Sequence, residues 1–331
     1  MGIVAAAQIA SVCYDAAATT RRVTEAIAEA ARAGAWLVLF TESCIPGYPD
    51  WIWKVAPQGS SPSAEPFRTF EREFFANAIT VPGPETERIA QACREHRIMA
   101  VVGVTERPER SGTLYNTLLY FGADGRILGR HRKSVPTFAE RLVWGMGDGT
   151  TIRTIPTSEG IVGGLICWEN LMPLARTTLY AQGVQIYLAP MQDNGERWLA
   201  TVRHIANEGR VWVISTGVLQ RESDLTPALR AAKVYQPDEL IGPGDSVIVD
   251  PFGNVVAGPA RGVETILYAD APASAALHAR RGFDAVGHYG RTDLFTLGLH
   301  GVNLLQSPPD LAGMPDHTWR VPASQETSAG E

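Results

Sequence analysis

Hydrophobic and polar positions follow two alternating patterns from the start of the chain. Residues 2–9 and 35–43 are almost continuously apolar, which is typical of strands buried on both faces of a sheet. Between them, residues 19–34 place apolar side chains at helical spacing, with Thr19 or Thr20 as the expected N-cap and Gly34 as the expected end. This succession of strand, helix and strand predicts an α/β fold.

The same patterns recur further along the chain. Strands are predicted at residues 98–106, 161–169, 184–190 and 211–217, helices at 85–97 and 197–210, and hairpins at 114–133 and 246–258. Residues 44–80 break the rhythm with five prolines and many aromatic side chains. A long insertion of this kind is expected to form a lid or a pocket wall rather than a plain connection.

No interdomain linker or short-period repeat is visible, so we expect one α/β domain over residues 1–305. The mixture of parallel units and hairpins suggests two stacked sheets, each covered by helices on one face, in a four-layer α-β-β-α sandwich, whereas the pattern alone establishes only an α/β class. From about Gln306 the chain is polar and rich in Pro, Ser and Gly. We expect this tail, residues 306–331, to be loose or involved in assembly.

Composition narrows the class of protein. Hydrophobic residues make up 45% and charged residues 19% of the 331 residues, as in soluble globular proteins. The net charge of −6 does not suggest a nucleic-acid partner, and the basic run at residues 130–133 is too short to form a nucleic-acid groove. No apolar stretch approaches the roughly 20 residues needed to span a bilayer, so no membrane association is expected.

The four cysteines are far apart and none belongs to a CxxC pair. This spacing argues against a disulfide framework or a metal site, and it is typical of a protein from the reducing cytoplasm. Cys13, Cys44 and Cys93 lie in contexts typical of small buried hydrophobic residues. Cys167 differs, because it ends an apolar run and is followed at once by Trp168, Glu169 and Asn170.

Glu42, Lys133 and Cys167 each lie just past a predicted strand, and sites in α/β sheets gather outside the carboxyl ends of strands. A cysteine in an apolar run is usually a buried core residue, but the position of Cys167 in the turn before a helix favours a reactive thiolate. Glu42 is interpreted as a general base, although a strand-end carboxylate can equally be a cap or an ion pair. Lys133 is interpreted as a fixed cation that stabilises negative charge, whereas a lysine in a basic run is usually solvated.

The neighbouring arginines and the histidines are not assigned a catalytic role. Arg130 and Arg132 are expected to be solvated charges, and His204 is expected to pack within its helix. A Cys–His hydrolase is the natural rival, but neither His131 nor His204 has a third partner that the sequence reveals. The three-residue constellation is therefore suggestive, not decisive, when taken alone.

Several segments together resemble the signature segments of the nitrilase superfamily, and the resemblance covers roughly residues 2–300. The CWEN form, the RKSVPTFAER segment and the GYPDWIW loop are similar to the true nitrilase branch. Small departures occur at FTES, where many members have FPE, and at Val211-Trp212, where many nitrilases have Cys-Phe. The segments are FTESCIPGYPDWIW, GRHRKSVPTFAERLVWGMGDG, CWENLMPLAR, RHIANEGRVWVIS, GDSVIVDPFGNVVAGP and GHYGRTDLF.

The resemblance implies a Glu-Lys-Cys catalytic triad at Glu42, Lys133 and Cys167, with Glu140 as a supporting glutamate that positions the lysine. It also implies the α-β-β-α sandwich and a homodimer that builds larger homo-oligomers or spirals. The implied reaction hydrolyses an organic nitrile with water to the carboxylic acid and ammonia through a cysteine thioimidate and thioester. No metal and no organic cofactor is required for any of these roles.

The aromatic residues around the motifs indicate an apolar pocket suited to aryl or arylaliphatic nitriles. Tyr48 and Trp168 are the preferred wall residues, ahead of Trp51 and Trp53, although each of the four can equally pack in the core or at an interface. Alternatives remain open: a cyanide hydratase or dihydratase, or an aliphatic amidase with the same triad. A non-catalytic assembly protein is a distant alternative, because the triad is intact.

Overall fold

The computed structural model describes residues 2–55, 65–299 and 302–303. Two large sheets and one short hairpin contain all the strands of these residues. The strands are β1 (Ile3–Gln8), β2 (Leu37–Leu39), β3 (Met99–Glu106), β4 (Tyr115–Phe121), β5 (Ile127–Arg132), β6 (Ile155–Thr157), β7 (Gly160–Gly164), β8 (Ile186–Leu188), β9 (Trp212–Ser215), β10 (Leu219–Arg221), β11 (Leu240–Val249), β12 (Val255–Arg261), β13 (Thr265–Asp270), β14 (Gly298–Leu299) and β15 (Val302–Asn303).

Helices connect and cover the sheets, and short 3₁₀ helices occur at Asp50–Trp53, Phe138–Leu142, Cys167–Leu171 and Glu222–Asp224. The α-helices are α1 (Ala16–Arg32), α2 (Glu65–Asn77), α3 (Pro84–His96), α4 (Pro173–Ala181), α5 (Gly195–Gly209), α6 (Pro227–Ala231) and α7 (Ala273–Arg280). No helix of the described ranges is long and apolar enough to cross a bilayer.

The first sheet has the strand order β13-β1-β2-β3-β4-β5. Strands β1, β2 and β3 are parallel, while β13, β4 and β5 complete the sheet through antiparallel pairs. Because β4 reverses direction between β3 and β5, the carboxyl ends of β2 and β5 lie at the same edge of the sheet. The predicted hairpin at residues 114–133 is thus confirmed as β4 and β5.

The second sheet has the order β10-β11-β9-β8-β7-β6, with β12 paired to β11. Strands β7, β8 and β9 are parallel, and the other pairs are antiparallel. The predicted hairpin at residues 246–258 lies within β11 and β12.

Side chains alternate between two cores across the first sheet, which explains its continuously apolar strands. Ala5, Ala7 and Val38 point into a cluster with residues of α1 and α3. Val4 and Leu37 point the other way, into a cluster shared with the second sheet, α4 and α5. The molecule is therefore a four-layer α-β-β-α sandwich, as predicted, with the central strands of each sheet buried on both faces.

Several element boundaries differ from the sequence prediction. Helix α1 begins earlier than expected, because Asp15 is its N-cap and accepts a hydrogen bond from the backbone N–H of Ala18 at 2.8 Å. Thr19 and Thr20 lie inside the helix and are buried. Within residues 35–43 only Leu37–Leu39 form regular strand, because the chain then turns to carry Glu42 into the site.

The proline-rich insertion contains the 3₁₀ helix Asp50–Trp53 and α2. Its aromatic side chains, among them Trp51 and Phe70, form a third hydrophobic cluster together with Trp144 from outside the insertion. The polar tail predicted at residues 306–331 lies outside the described residues.

Candidate active site

The two sheets bring the three candidate residues to one edge of the sandwich. Glu42 follows β2 by three residues, Lys133 follows β5 directly, and Cys167 follows β7 by three residues. All three side chains are buried. The charges of Glu42 and Lys133 both shift the pKa of Cys167, so the three groups share one electrostatic environment.

Lys133 lies at the centre of the site, between two carboxylates. Its Nζ donates to Glu42 Oε1 and to Glu140 Oε2, each at 2.7 Å. Burial alone would lower the pKa of Lys133, but the two carboxylates raise it above its ordinary value. The solvated lysine that a basic run usually gives is excluded, and the ammonium is a fixed, buried cation.

Glu42 is held by one of its two carboxylate oxygens. Oε1 accepts from Lys133 and from Asn116 Nδ2, the latter at 2.8 Å, whereas Oε2 has no partner in the described structure. Burial raises the pKa of Glu42 to about 7, against the opposing effect of the Lys133 charge. A carboxylate with this pKa and one free oxygen is suited to accept a proton near neutral pH.

A glycine in the neighbouring strand allows Glu42 to reach this position. A Cβ at Gly103 of β3 would lie only 2.9 Å from the Cα of Glu42. The backbone that carries the carboxylate therefore packs directly on the backbone of β3.

Cys167 has a left-handed backbone conformation, with φ of 52°, at the start of the 3₁₀ helix Cys167–Leu171. For a residue other than glycine this conformation is strained, and strained residues of this kind are concentrated at functional sites. Hydrogen bonds hold the turn on both sides. The Cys167 N–H donates to Pro190 O at 2.8 Å, and its carbonyl accepts from Asn170 Nδ2 at 2.8 Å.

The Cys167 thiol is protonated at rest. Burial raises its pKa well above the ordinary value, and the Glu42 charge adds to this effect, while Lys133 opposes it. Only 4% of the residue is exposed, and the reactive thiolate expected at this turn is therefore not the resting form of Cys167. The adjacent base therefore has to remove the proton when the thiol reacts.

Glu140, which only the family resemblance indicated, contacts the lysine as expected. Its carboxylate also accepts from the Thr137 backbone N–H and from the Tyr48 hydroxyl, both at 2.7 Å. Tyr48 is buried and accepts a longer hydrogen bond, 3.3 Å, from Trp53 Nε1. The Tyr48 hydroxyl thus binds Glu140, a contact that the sequence did not predict.

Trp168 lies beside the nucleophile and is 38% exposed. Its indole N–H donates to Asp193 Oδ2 at 2.8 Å, and its ring packs edge-on against Phe138 with centroids 6.1 Å apart. Trp51, in contrast, is fully buried against Phe67 and Phe70. Of the aromatic candidates, Trp168 therefore offers an accessible surface next to Cys167, and Trp51 belongs to the core.

Two expectations about the basic run and the histidines are wrong, and a third holds in part, since Arg130 is exposed as expected but also binds a carboxylate. Arg132 is not a free solvated charge, since it binds buried Glu106 through Nε and Nη2, and Arg130 binds the same carboxylate at 2.8 Å. His204 does not pack inside its helix but is exposed beside Glu208. The two arginines bind Glu106 because a buried carboxylate needs charged or hydrogen-bonding partners. Glu106 ends an apolar strand, so the sequence pattern does not reveal this need.

Asn116 is a site residue that sequence reasoning missed. It lies at the start of β4, so its side chain reaches the same sheet edge as Glu42, and its Oδ1 has no partner among the described residues. A polar residue at the start of an apolar strand is the signal that points to it. No group of three or more His, Cys, Asp or Glu side chains in the described part of the chain could hold a metal ion.

Comparison with known proteins places this geometry in context. The model of the carbon-nitrogen hydrolase family matches residues 3–281. A protein named aliphatic nitrilase from Sinorhizobium fredii is 43% identical over 88% of this chain and 94% of its own length. A bifunctional nitrilase/nitrile hydratase of Lupinus angustifolius is 41% identical over 88% of this chain and 83% of its own.

Solved structures show the same fold at low sequence identity. A Saccharomyces cerevisiae member of branch 10 of the nitrilase superfamily has a TM-score of 0.65 at 20% identity, covering 87% of this chain and 96% of its own. A carbon-nitrogen hydrolase from Helicobacter pylori G27 has a TM-score of 0.66 at 20% identity, covering 85% and 93%. These likenesses confirm the architecture predicted from the sequence.

Proposed function

Because the chain belongs to the carbon-nitrogen hydrolase family, in its nitrilase branch, we propose that Glu42, Lys133 and Cys167 hydrolyse an organic nitrile to the carboxylic acid and ammonia. One observation supports these roles most directly. A buried ammonium bridges two carboxylates at 2.7 Å, and one of them keeps a free oxygen within the electrostatic reach of a buried thiol.

The first half of the reaction forms a covalent intermediate. Glu42 Oε2 takes the thiol proton while Cys167 Sγ attacks the nitrile carbon, and one π-electron pair moves to nitrogen. Glu42 returns the proton to that nitrogen, which gives a thioimidate. Oε2 is suited to this role, since Oε1 is already occupied by Lys133 and Asn116.

The second half releases ammonia and then the acid. Glu42 takes a proton from water, whose oxygen adds to the thioimidate carbon, and returns this proton to the nitrogen, which gives a neutral tetrahedral intermediate with a hydroxyl and an amino group. Glu42 then takes the hydroxyl proton and passes it to the nitrogen as the C–N bond breaks, so that ammonia departs and a thioester remains. A second water adds to the thioester, the C–S bond breaks, and the sulfur regains a proton as the acid leaves.

Lys133 supplies fixed positive charge to the tetrahedral species. The backbone N–H of Trp168, in the first turn of a helix where such groups lack intrahelical acceptors, is the second proposed donor. Removing one donor of this type typically costs about 10²- to 10³-fold in rate. Glu140 acts on the same step by holding Lys133 in place.

The substrate is proposed to be an aryl or arylaliphatic nitrile. The exposed faces of Trp168 and Phe138 form an apolar surface next to the nucleophile, and an aromatic ring can pack there edge-on. The relative named aliphatic nitrilase makes an aliphatic nitrile the competing substrate class.

The relatives named bifunctional nitrilase/nitrile hydratase make amide formation a second candidate activity. The same tetrahedral intermediate gives an amide when it expels the thiol instead of ammonia. Both products therefore have to be measured.

We propose that the chain forms a homodimer that builds larger homo-oligomers. An apolar surface supports this: Leu174 is 71% exposed at the start of α4, near exposed Leu171 and Met172. Such surfaces usually mark an interaction site. The four free, buried cysteines support a reducing compartment such as the cytoplasm.

The decisive experiment is product analysis on aryl, arylacetonitrile and aliphatic nitriles, cyanide, and the matching amides. Acid and ammonia from organic nitriles, with the amides left almost untouched, are the expected result. Turnover of the amides alone would indicate an amidase, and formamide from cyanide a cyanide hydratase. A panel without any turnover would contradict the proposal and favour an assembly protein.

A further inference from the structure

Glu169 is a buried carboxylate between the two segments that carry Lys133 and Cys167, and no step of the proposed mechanism uses it. Its Oε2 accepts from the backbone N–H of Ile166, the residue before Cys167, at 2.9 Å. Its Oε1 accepts from the backbone N–H of Ser134, the residue after Lys133, at 2.6 Å. One side chain thus joins the backbone beside the cation to the backbone beside the nucleophile.

Two side-chain donors complete the contacts of Glu169. The Ser134 hydroxyl donates to Oε1, and His131 Nε2 lies 2.9 Å from Oε2. Burial would raise the pKa of Glu169, but His131, Ser134 and the Ile166 N–H hold it at about 2. The group is therefore an ionised acceptor, and His131 carries its hydrogen on Nε2.

The arrangement differs from an ordinary buried ion pair. Two of the four donors are main-chain groups, each adjacent in sequence to a residue of the triad. β5 and β7 belong to different sheets, and the backbone contacts of Glu169 cross between the segments that follow them. Movement of one sheet edge relative to the other would strain these bonds.

Resting on the proposed nitrilase function, we infer that Glu169 is a positioning residue that fixes the placement of Lys133 relative to Cys167. By this placement it directs the tetrahedral intermediate to the acid instead of the amide.

The direction of the effect follows from the two leaving groups. In the acid-forming path the C–N bond breaks, and its electron pair stays on a nitrogen that must receive a proton from Glu42. In the amide-forming path the C–S bond breaks, and its electron pair leaves with sulfur, whose lower basicity makes it the easier group to expel. Ammonia loss therefore depends on exact alignment, and a loosened site forms more amide.

The test compares two buried carboxylates that each accept four hydrogen bonds. In E169Q the amide nitrogen cannot accept, so the contacts of one oxygen are lost. In the control E106Q, the affected carboxylate accepts only from the side chains of Thr117, Arg130 and Arg132; it binds no backbone N–H beside Lys133 and no group of the Cys167 segment. Acid, amide and ammonia are measured for the same nitrile, with circular dichroism to verify folding.

We expect E169Q to lower kcat and raise the amide fraction at least about threefold, with KM less affected, while E106Q keeps the wild-type product ratio. An unchanged ratio in folded E169Q, or an equal rise in E106Q, would overturn the inference. Should E169Q fail to fold, S134A is the second test, because it removes the hydroxyl donor to Glu169 and keeps the Ser134 N–H. A rise in the amide fraction smaller than that expected for E169Q supports the inference, and an unchanged amide fraction refutes it. Failure of the proposed function would show separately, as wild-type enzyme that turns over no nitrile.

Discussion

Substitution of Glu140 by Gln removes one negative charge beside Lys133 and keeps the size of the side chain. Glu140 is one of the charges that raise the pKa of Glu42, which lies at about 7. Glu42 must be ionised to take the thiol proton, so kcat/KM rises as the pH rises through this pKa. Loss of the Glu140 charge lowers the pKa of Glu42 and moves this acid limb to lower pH.

The size of the effect follows from the geometry. Both carboxylates bond to Lys133 Nζ at 2.7 Å, so the two bonded oxygens are at most about 5.4 Å apart. At an effective dielectric constant of about 20, two like charges at this distance repel by roughly 3 kcal/mol. At about 1.4 kcal/mol per pH unit, the acid limb is expected to move down by about 2 pH units.

The assay is kcat/KM from pH 5 to 9 for wild type, E140Q and E106Q, followed by ammonia release. The plateau of E140Q should also fall, since Lys133 loses a charged partner. E106Q should keep its acid limb near pH 7, because Glu106 is not among the main charges that shift the pKa of Glu42.

An acid limb that stays near pH 7 in E140Q, or moves to higher pH, would refute the reasoning. The first result would mean that Glu140 does not influence the base, and the second that loss of Lys133 placement outweighs the loss of repulsion.

Three further predictions test individual residues. Replacing Cys167 by Ala should abolish acid and ammonia production while thermal unfolding stays cooperative, and replacing buried Cys93 by Ala should leave turnover in place; measurable turnover by C167A would exclude the nucleophile role. Y48F removes a donor to the Glu140 carboxylate and should reduce the free energy of unfolding in urea by about 1.5–3 kcal/mol. Its kcat should fall with little change in KM, whereas a rise in KM alone would favour a substrate-wall role. W168A should raise KM for aryl nitriles about tenfold and for small aliphatic nitriles less, since an aromatic pair contributes about 0.5–1.5 kcal/mol beyond area burial; equal changes for both classes would remove Trp168 from the pocket.

Local pattern was sufficient to predict most of the fold. Continuously apolar runs indicated strands covered on both faces, and the parallel cores β1-β2-β3 and β7-β8-β9 confirm this. The pattern failed at boundaries such as the start of α1, where the side chain of Asp15, four residues before Thr19, accepts a hydrogen bond from the Ala18 N–H. The N-cap is whichever of several nearby polar residues has an extended backbone conformation just before the helix, and the sequence pattern does not show which one that is.

The sequence by itself determined the α/β class and the three positions past strand ends where Glu42, Lys133 and Cys167 lie. Only the tertiary structure decided what those groups contact. Asn116 and Tyr48 enter the site from a neighbouring strand and from the insertion, and Glu169 turns inward to join two segments from different sheets. The periodicity of hydrophobic residues is a property of neighbours along the chain. Hydrogen-bond partners and the pKa of a buried group depend instead on distance in space. In this site the hydrogen-bonded partners lie 3 to 92 positions apart along the chain.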